Sequence, residues 1–261
     1  MFAKPTYVFF ALKNLNKMDY DKIFLSVLVL LVFVNVIAEV SQNSMLTQIT
    51  NALFVPLFVV VYLLNAAHLS VFLISFLSFS FLGDVTSVYY QNSHVLKSSN
   101  LFYFLSYLSL LGIVAPKFKG IQFGKLIGGY LLIVFLINAY LMFQLYMVLE
   151  DVIFEPDELT FFALRNITLI VLGFVSFAVY LNSDSSASIL CLVMSICLIF
   201  SEVLFYIRNY YISDWTLVLL DRSLYGLSLA CLYYYMKELT SISSTKMKKG
   251  PVQSEHRITQ L

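Results

Sequence analysis

Apolar residues in this chain come in long runs that are hydrophobic all round, as in IFLSVLVLLVFVNVIAEV at 23–40. A helix needs about 17–25 such residues to cross the hydrocarbon of a bilayer. Eight runs of that kind are predicted, at 23–40, 49–65, 68–90, 100–116, 124–149, 159–181, 186–207 and 214–236. Strands of a membrane barrel would instead be segments of roughly ten residues with alternating polarity. The second run is the weakest, being short and carrying Pro56. Membrane helices accept proline where neighbours satisfy the freed carbonyl. The predicted fold class is all-α: a polytopic integral membrane protein with eight transmembrane helices.

Composition agrees with the pattern. Hydrophobic residues make up 60% and charged residues 12% of the 261 positions, against about 45–50% and roughly 25% in soluble domains. Mean hydropathy is +0.85. Disorder, a collagen-like structure and an ordinary water-soluble enzyme are excluded for the chain as a whole. The net charge of +1 leaves no basic or acidic excess, so nucleic acid is not an expected partner. Cys191, Cys197 and Cys231 lie inside apolar runs without CxxC spacing, as small apolar filler does. The first run starts after 22 residues and lacks a clear A-x-A cleavage site, so it is expected to be retained as a span.

Basic residues orient the spans, since short loops rich in Lys and Arg stay in the cytoplasm. Lys4, Lys13, Lys17 and Lys22 precede the first span; Lys117, Lys119 and Lys125 separate the fourth from the fifth; Lys237, Lys246, Lys248, Lys249 and Arg257 follow the last. Eight spans put all three groups on one side. The other side carries Lys97, Arg208 and an acidic loop with Glu150, Asp151, Glu155, Asp157 and Glu158. Three parts are expected: a cytoplasmic N-terminal segment (1–22), an eight-helix membrane domain (23–236) and a basic cytoplasmic tail (237–261), disordered from about Ser241.

Polar residues inside spans are costly and mark functional sites. With a rise of ~1.5 Å per residue, Asn35, Glu39, Asn51, Asp84, Asn138, Gln144, Arg165, Asn166, Glu202, Asp221 and Arg222 nearly all fall in the outer half of the membrane. Several carboxylates and two arginines at one depth point to a shared polar cavity opening outward. Glu39, Glu150 and Arg208, at span ends, are placed to reach the interface instead. Asp84 in SFLGDV and Glu202 in LIFSEV each stand near the outer end of the third helix of a four-helix half. That placement is the basis for a 4+4 parallel repeat.

Three patches resemble the YhhN family of lysoplasmalogenase-like membrane proteins, over residues 47–236. ITNALFVPLF (49–58) is similar to the family's TKPLxxPL segment, with Thr50, Leu53, Pro56 and Leu57. SFSFLGDV (78–85) matches the S-x-x-G-D segment through Ser80, Gly83 and Asp84, and FSEVLFYIRNYY (200–211) resembles the late F-x-x-SD-x-x-L-x-x-N-[KR]-F element. The chain departs from the family at several places. Asn51 stands for the lysine, Ala52 for the first proline and Glu202 for an aspartate, and Arg208–Asn209 reverses the usual order. The histidine of span four is missing near Gly112 and Val114. Asp221, Arg222 and Tyr225 occupy the last span in place of Y-x-x-A-Q.

The resemblance implies a protein of the bacterial inner membrane, with both termini cytoplasmic, that hydrolyses the vinyl ether of lysoplasmalogens. The products are a fatty aldehyde and a glycerophospho-alcohol. Such chemistry needs an acid to protonate the β-carbon and a carboxylate to steady the oxocarbenium ion and activate water, much as in the two-carboxylate glycosidases. Asp84 and Glu202 are the candidate catalytic pair. Arg222, with Arg165, suits the lysolipid phosphate, and Asp221 and Asn51 complete the candidate substrate-binding set. Arg222 beside Asp221, or Arg165 near an acidic neighbour, also suits a buried ion pair, and that reading outweighs phosphate binding. No metal or cofactor is expected: there is no HExxH, and His68, His94 and His256 are scattered. The expected partner is a membrane lipid or lysolipid. Two alternatives stand beside the hydrolase: a lipid binder or sensor that has lost catalysis, and a small transporter using the same cavity.

Overall fold

The structure is a computed structural model that describes residues 6–65, 70–87, 93–118, 125–150, 156–183, 185–212 and 214–248. Eight helices occur among them: α1 (Thr6–Val40), α2 (Ser44–Asn65), α3 (Val71–Ser87), α4 (Ser93–Phe118), α5 (Lys125–Glu150), α6 (Pro156–Asn182), α7 (Ser186–Tyr210) and α8 (Trp215–Lys248). Six of them (α1, α2, α4, α6, α7 and α8) contain a stretch long and apolar enough to cross a membrane. The two shorter apolar stretches are α3, with 17 residues, and Gly128–Leu141 of α5. α2 passes Pro56 without a break.

Large apolar side chains cover the outside. Ile37, Leu64, Val71, Leu136 and Phe200 are all more than half exposed. A water-soluble protein does not present such a surface continuously; hydrocarbon removes its cost. The six apolar helices and this exterior together suggest a membrane protein.

Seven helices close a circuit: α1 packs on α2, then α3, α4, α6, α7 and α8 follow in order, and α8 returns to α1. α5 stands outside this circuit, packed on α6. Small polar residues let neighbours approach. Ser80 and Ser106 share a hydrogen bond between α3 and α4, and Ser176 and Ser195 do so at 2.6 Å between α6 and α7. Stacked and edge-on rings of Phe24, Phe58, Tyr62 and Tyr233 fill the core between α1, α2 and α8. Nearby, Asp21 of α1 accepts a hydrogen bond from Tyr233 Oη at 2.6 Å and pairs with Lys237 of α8. The three cysteines are free and buried, as expected of filler.

Two boundaries differ from the sequence expectation. α1 begins at Thr6, inside the stretch read as an N-terminal segment. α8 continues to Lys248, so 241–248, expected to be disordered, is helical. Residues 249–261, with Lys249 and Arg257, lie outside the described residues, as do Lys119 and Asp151.

Candidate functional site

The end of the bundle where α3 and α7 finish, and where α4, α6 and α8 begin, carries a cluster of buried charges. Asp84 stands three residues before the end of α3. Arg165 lies nine residues into α6, about 13 Å along the helix at ~1.5 Å per residue. Glu202 is late in α7, and Asp221 and Arg222 are early in α8. All five are at least nine-tenths buried. Five of the six candidate site residues come together.

Each acidic group is held differently. Both Glu202 oxygens are engaged: Tyr107 Oη donates to Oε1, and Arg165 Nη2 pairs with Oε2. Arg165 Nη1 also donates to Asn100 Oδ1 at 3.1 Å. The rings of Tyr103, Tyr107, Phe205 and Tyr206 surround its guanidinium, the closest being Tyr103 at 4.3 Å to the centroid. Arg165 therefore has one face stacked and two nitrogens in use. Aromatic faces and a carboxylate together replace the water a buried guanidinium loses.

Asp221 accepts from Ser201 Oγ at 2.6 Å through Oδ1. Its Oδ2 lies 3.2 Å from Arg222 Nη2 and 3.9 Å from Arg208 Nη1. The ion pair weighed for Asp221 and Arg222 is thus present. Arg208 corrects its sequence reading: its side chain is 11% exposed and lies over Phe205, rather than reaching out to the interface.

Asp84 is the exception. Tyr103 Oη donates to Oδ1 at 2.6 Å, but Oδ2 has no hydrogen-bond partner among the described residues. The charges of Arg222, Arg165 and Glu202 all act on this carboxyl group, so it belongs to the same electrostatic unit. Tyr225 lies within range of Asp84, Arg222, Glu202 and Asp221. Gly83 makes the Tyr103 contact feasible: a Cβ there would stand 2.9 Å from the Tyr103 ring.

Asn51 is not brought to this cluster. It accepts a 2.7 Å hydrogen bond from Asn35 Nδ2, which also donates to Thr50 Oγ1 at 2.7 Å. These bonds tie α1 to α2. The α5 residues do not join either: Asn138 donates to Val134 O of its own helix, and Gln144 is exposed. Asn166 is buried but back-bonds to Phe162 O and lines a cleft facing α5. Asn51 is drawn instead to the α1–α2 seam by Asn35, and the α5 residues and Asn166 are kept away because α5 lies outside the circuit that encloses the charges.

Sequence reasoning missed Tyr103, Tyr107, Asn100 and Ser201 as partners. Among 18 Tyr and 24 Phe, no spacing marks the two tyrosines that face carboxylates. No group of three or more His, Cys, Asp or Glu side chains with metal-binding proximity occurs among the described residues. Comparison of the chain with protein-family models, curated proteins and solved structures finds no match.

Proposed function

We propose that the chain is a membrane hydrolase of ether lysolipids related to the YhhN proteins, with eight spans and both termini in the cytoplasm of a bacterial cell. The observation that carries this reading is the half-engaged carboxyl group of Asp84 among buried arginines. In this scheme Asp84 Oδ2 delivers a proton to the β-carbon of a vinyl ether. The double-bond electrons form the new C–H bond, and an oxocarbenium ion results. Water adds to the α-carbon of that ion, the carbon bonded to the ether oxygen, and its proton returns to Asp84. The hemiacetal then breaks its C–O bond to the glycerol, whose oxygen takes the hydroxyl proton, releasing aldehyde and alcohol. No net oxidation occurs.

The other residues take supporting parts. Tyr103 orients Asp84. Glu202, held on both oxygens, serves as a fixed negative charge near the oxocarbenium ion rather than as a free base. Arg222, whose Nε has no hydrogen-bond partner among the described residues, suits the headgroup phosphate. Arg165 also has an Nε unpartnered among the described residues, but its Nη1 and Nη2 are bound to Asn100 and Glu202, so phosphate binding passes to Arg222. Salt-bridged Glu202 also favours a second reading, a lipid binder on the same scaffold without catalysis.

Aldehyde release from lysoplasmalogens by the purified protein separates the two. Asp84→Asn is expected to lower the rate about 10²–10⁴-fold, the usual contribution of a positioned general acid, while the protein stays folded. Release that persists in Asp84→Asn would remove Asp84 from the chemistry. No release by folded parent protein across several headgroups would leave the binder.

A further inference from the structure

We infer that the outward face of α5 binds a second copy of this chain, making the protein a twofold dimer in the membrane. The inference rests on α5 lying in the bilayer, as the proposed spans have it, and on no part of the hydrolase chemistry. α5 stands outside the helix circuit and packs on α6, which it meets through Phe135, Ala139 and Tyr146. With about 3.6 residues per turn, Gly129, Ile133, Leu136, Tyr140, Gln144 and Met147 fall on the opposite side. All six are exposed. Their spacing of three and four residues forms the seam of a helix pair crossing at about 20°.

Two residues of this seam end in polar groups that hydrocarbon does not satisfy. Tyr140 is 61% exposed, and Gln144 is exposed one turn further on. Neither makes a hydrogen bond among the described residues. α5 has 26 residues. At ~1.5 Å per residue it is about 39 Å long, against a hydrocarbon core of about 30 Å. Centred on that core, it places Gln144 about 4 Å and Tyr140 about 10 Å inside the nearer edge. Helical side chains lean toward the N-terminus of their helix. Here that direction leads away from the nearer edge, so reaching for headgroups works against the geometry. An amide and a phenol both donate and accept hydrogen bonds, whereas acyl chains do neither. The missing partner therefore carries donors and acceptors at the same depth. A second α5, related by a twofold axis along the bilayer normal, meets that demand because each residue then faces its own copy. The two Gln144 amides exchange hydrogen bonds, and the Tyr140 hydroxyls lie one turn away in the same seam. At the other end of the seam, a Cβ on Gly129 would meet nothing within 4 Å in its own chain. Its absence lets the paired backbones approach closely.

Stepwise photobleaching of the singly labelled full chain, diluted in phosphatidylcholine vesicles, counts the copies that associate. The parent is expected to form pairs. Gln144→Leu should raise their dissociation constant about threefold to twentyfold, the usual worth of an interhelical hydrogen bond in a bilayer. Gly129→Leu should also raise it with parental helical circular dichroism, since bulk there touches only a second molecule. In a chain with Cys191, Cys197 and Cys231 replaced by alanine, Ile133→Cys and Leu136→Cys should crosslink copy to copy under copper phenanthroline. Ile37→Cys on α1 and Phe200→Cys on α7, which are equally exposed, should not. Monomers of the parent at every dilution, a constant unchanged in either variant, or crosslinks of α5 to another membrane protein in place of a second copy would overturn the dimer. Rapid reaction of Ile133→Cys with a water-soluble maleimide in permeabilised cells would take α5 out of the bilayer, and the span reading would fall with the dimer. Monomers whose Ile133→Cys stays unreactive would overturn the dimer alone.

Discussion

Glu202 and Arg165 form a pair in which neither member has another opposite charge at bonding distance among the described residues. Removing one member strands the other in a nearly waterless site. Glu202→Leu should therefore destabilise the protein by about 3–5 kcal/mol, and Arg165→Met by a similar amount. The double variant should be much closer to the parent, because no uncompensated charge remains. Thermal unfolding of the four proteins in detergent reads this directly, and additive losses would show that the pair is not coupled. A second residue acts outside the membrane. Asp214 caps α8 by accepting from Thr216 N at 3.1 Å, and the bonds to Thr216 hold its carboxyl below the usual aspartate value. A lowered folded-state value means that the cap contributes fully above the unfolded value near 3.9 and fades as pH falls through the folded one. Stability differences between parent and Asp214→Ala should accordingly be present at neutral pH and shrink below about pH 4. The acidic and basic members of the cluster were legible because a charge in an apolar run is rare. Their tyrosine and serine partners were not, because those residue types are common in such helices and only tertiary packing selects them.

At the level of elements, the α3–α4 seam depends on glycine. A Cβ at Gly83 would press on the Tyr103 ring at 2.9–3.1 Å, and one at Gly112 would meet the Phe72 ring at 2.7 Å. The Tyr103 ring is held in place by its bond to Asp84, whereas Phe72 is half exposed and has room to turn. Gly83→Ala is expected to cost about 1–3 kcal/mol, the usual penalty of overpacking, and to displace Tyr103 from Asp84. Tyr103→Ala in the same chain should recover part of that loss. If instead Gly83→Ala is neutral in thermal unfolding, the seam is looser than its geometry implies. Each long apolar run became a helix, yet the ends moved. The run 68–90 is represented by Val71–Ser87, with Ser70 described before the helix and 68–69 and 88–90 outside the described residues, and α8 goes on well past 236. Serine, threonine and lysine after Ser241 read as a tail by polarity, but their helix propensities differ from alanine by only a few tenths of a kcal/mol, too little to end a helix already formed. Hydropathy also could not show that α5 lies outside the circuit. It reports how apolar a helix is, not which neighbours it touches.

For the whole molecule the open quantity is how many helices cross. The Asp21 pair with Lys237 joins the middle of α1 to the second half of α8, and the Asp84 bond to Tyr103 joins the end of α3 to the first half of α4. Successive helices that run in alternating directions through eight crossings put the α1–α2 turn and the α7–α8 turn outside. The end of α4 and the end of α8 are then inside, with their lysines, as the charge rule requires. Exposed positions test each of these ends: Ser41 and Ile212 on one side, Lys117 and Ser241 on the other. Cysteines placed singly at these four positions, in a chain with Cys191, Cys197 and Cys231 replaced by alanine, should react differently with a membrane-impermeant maleimide. Ser41→Cys and Ile212→Cys are expected to label in intact cells, and Lys117→Cys and Ser241→Cys only after permeabilisation. Lys117 decides the count. α3 has 17 residues and is the first helix whose crossing is in question. If it lay in the interface instead of spanning, α4 would run the other way and Lys117→Cys would label from outside. The cluster around Asp84 would then no longer face the same side as the turn at Ser41, and a site opening outward would have to be given up along with the eight-span count.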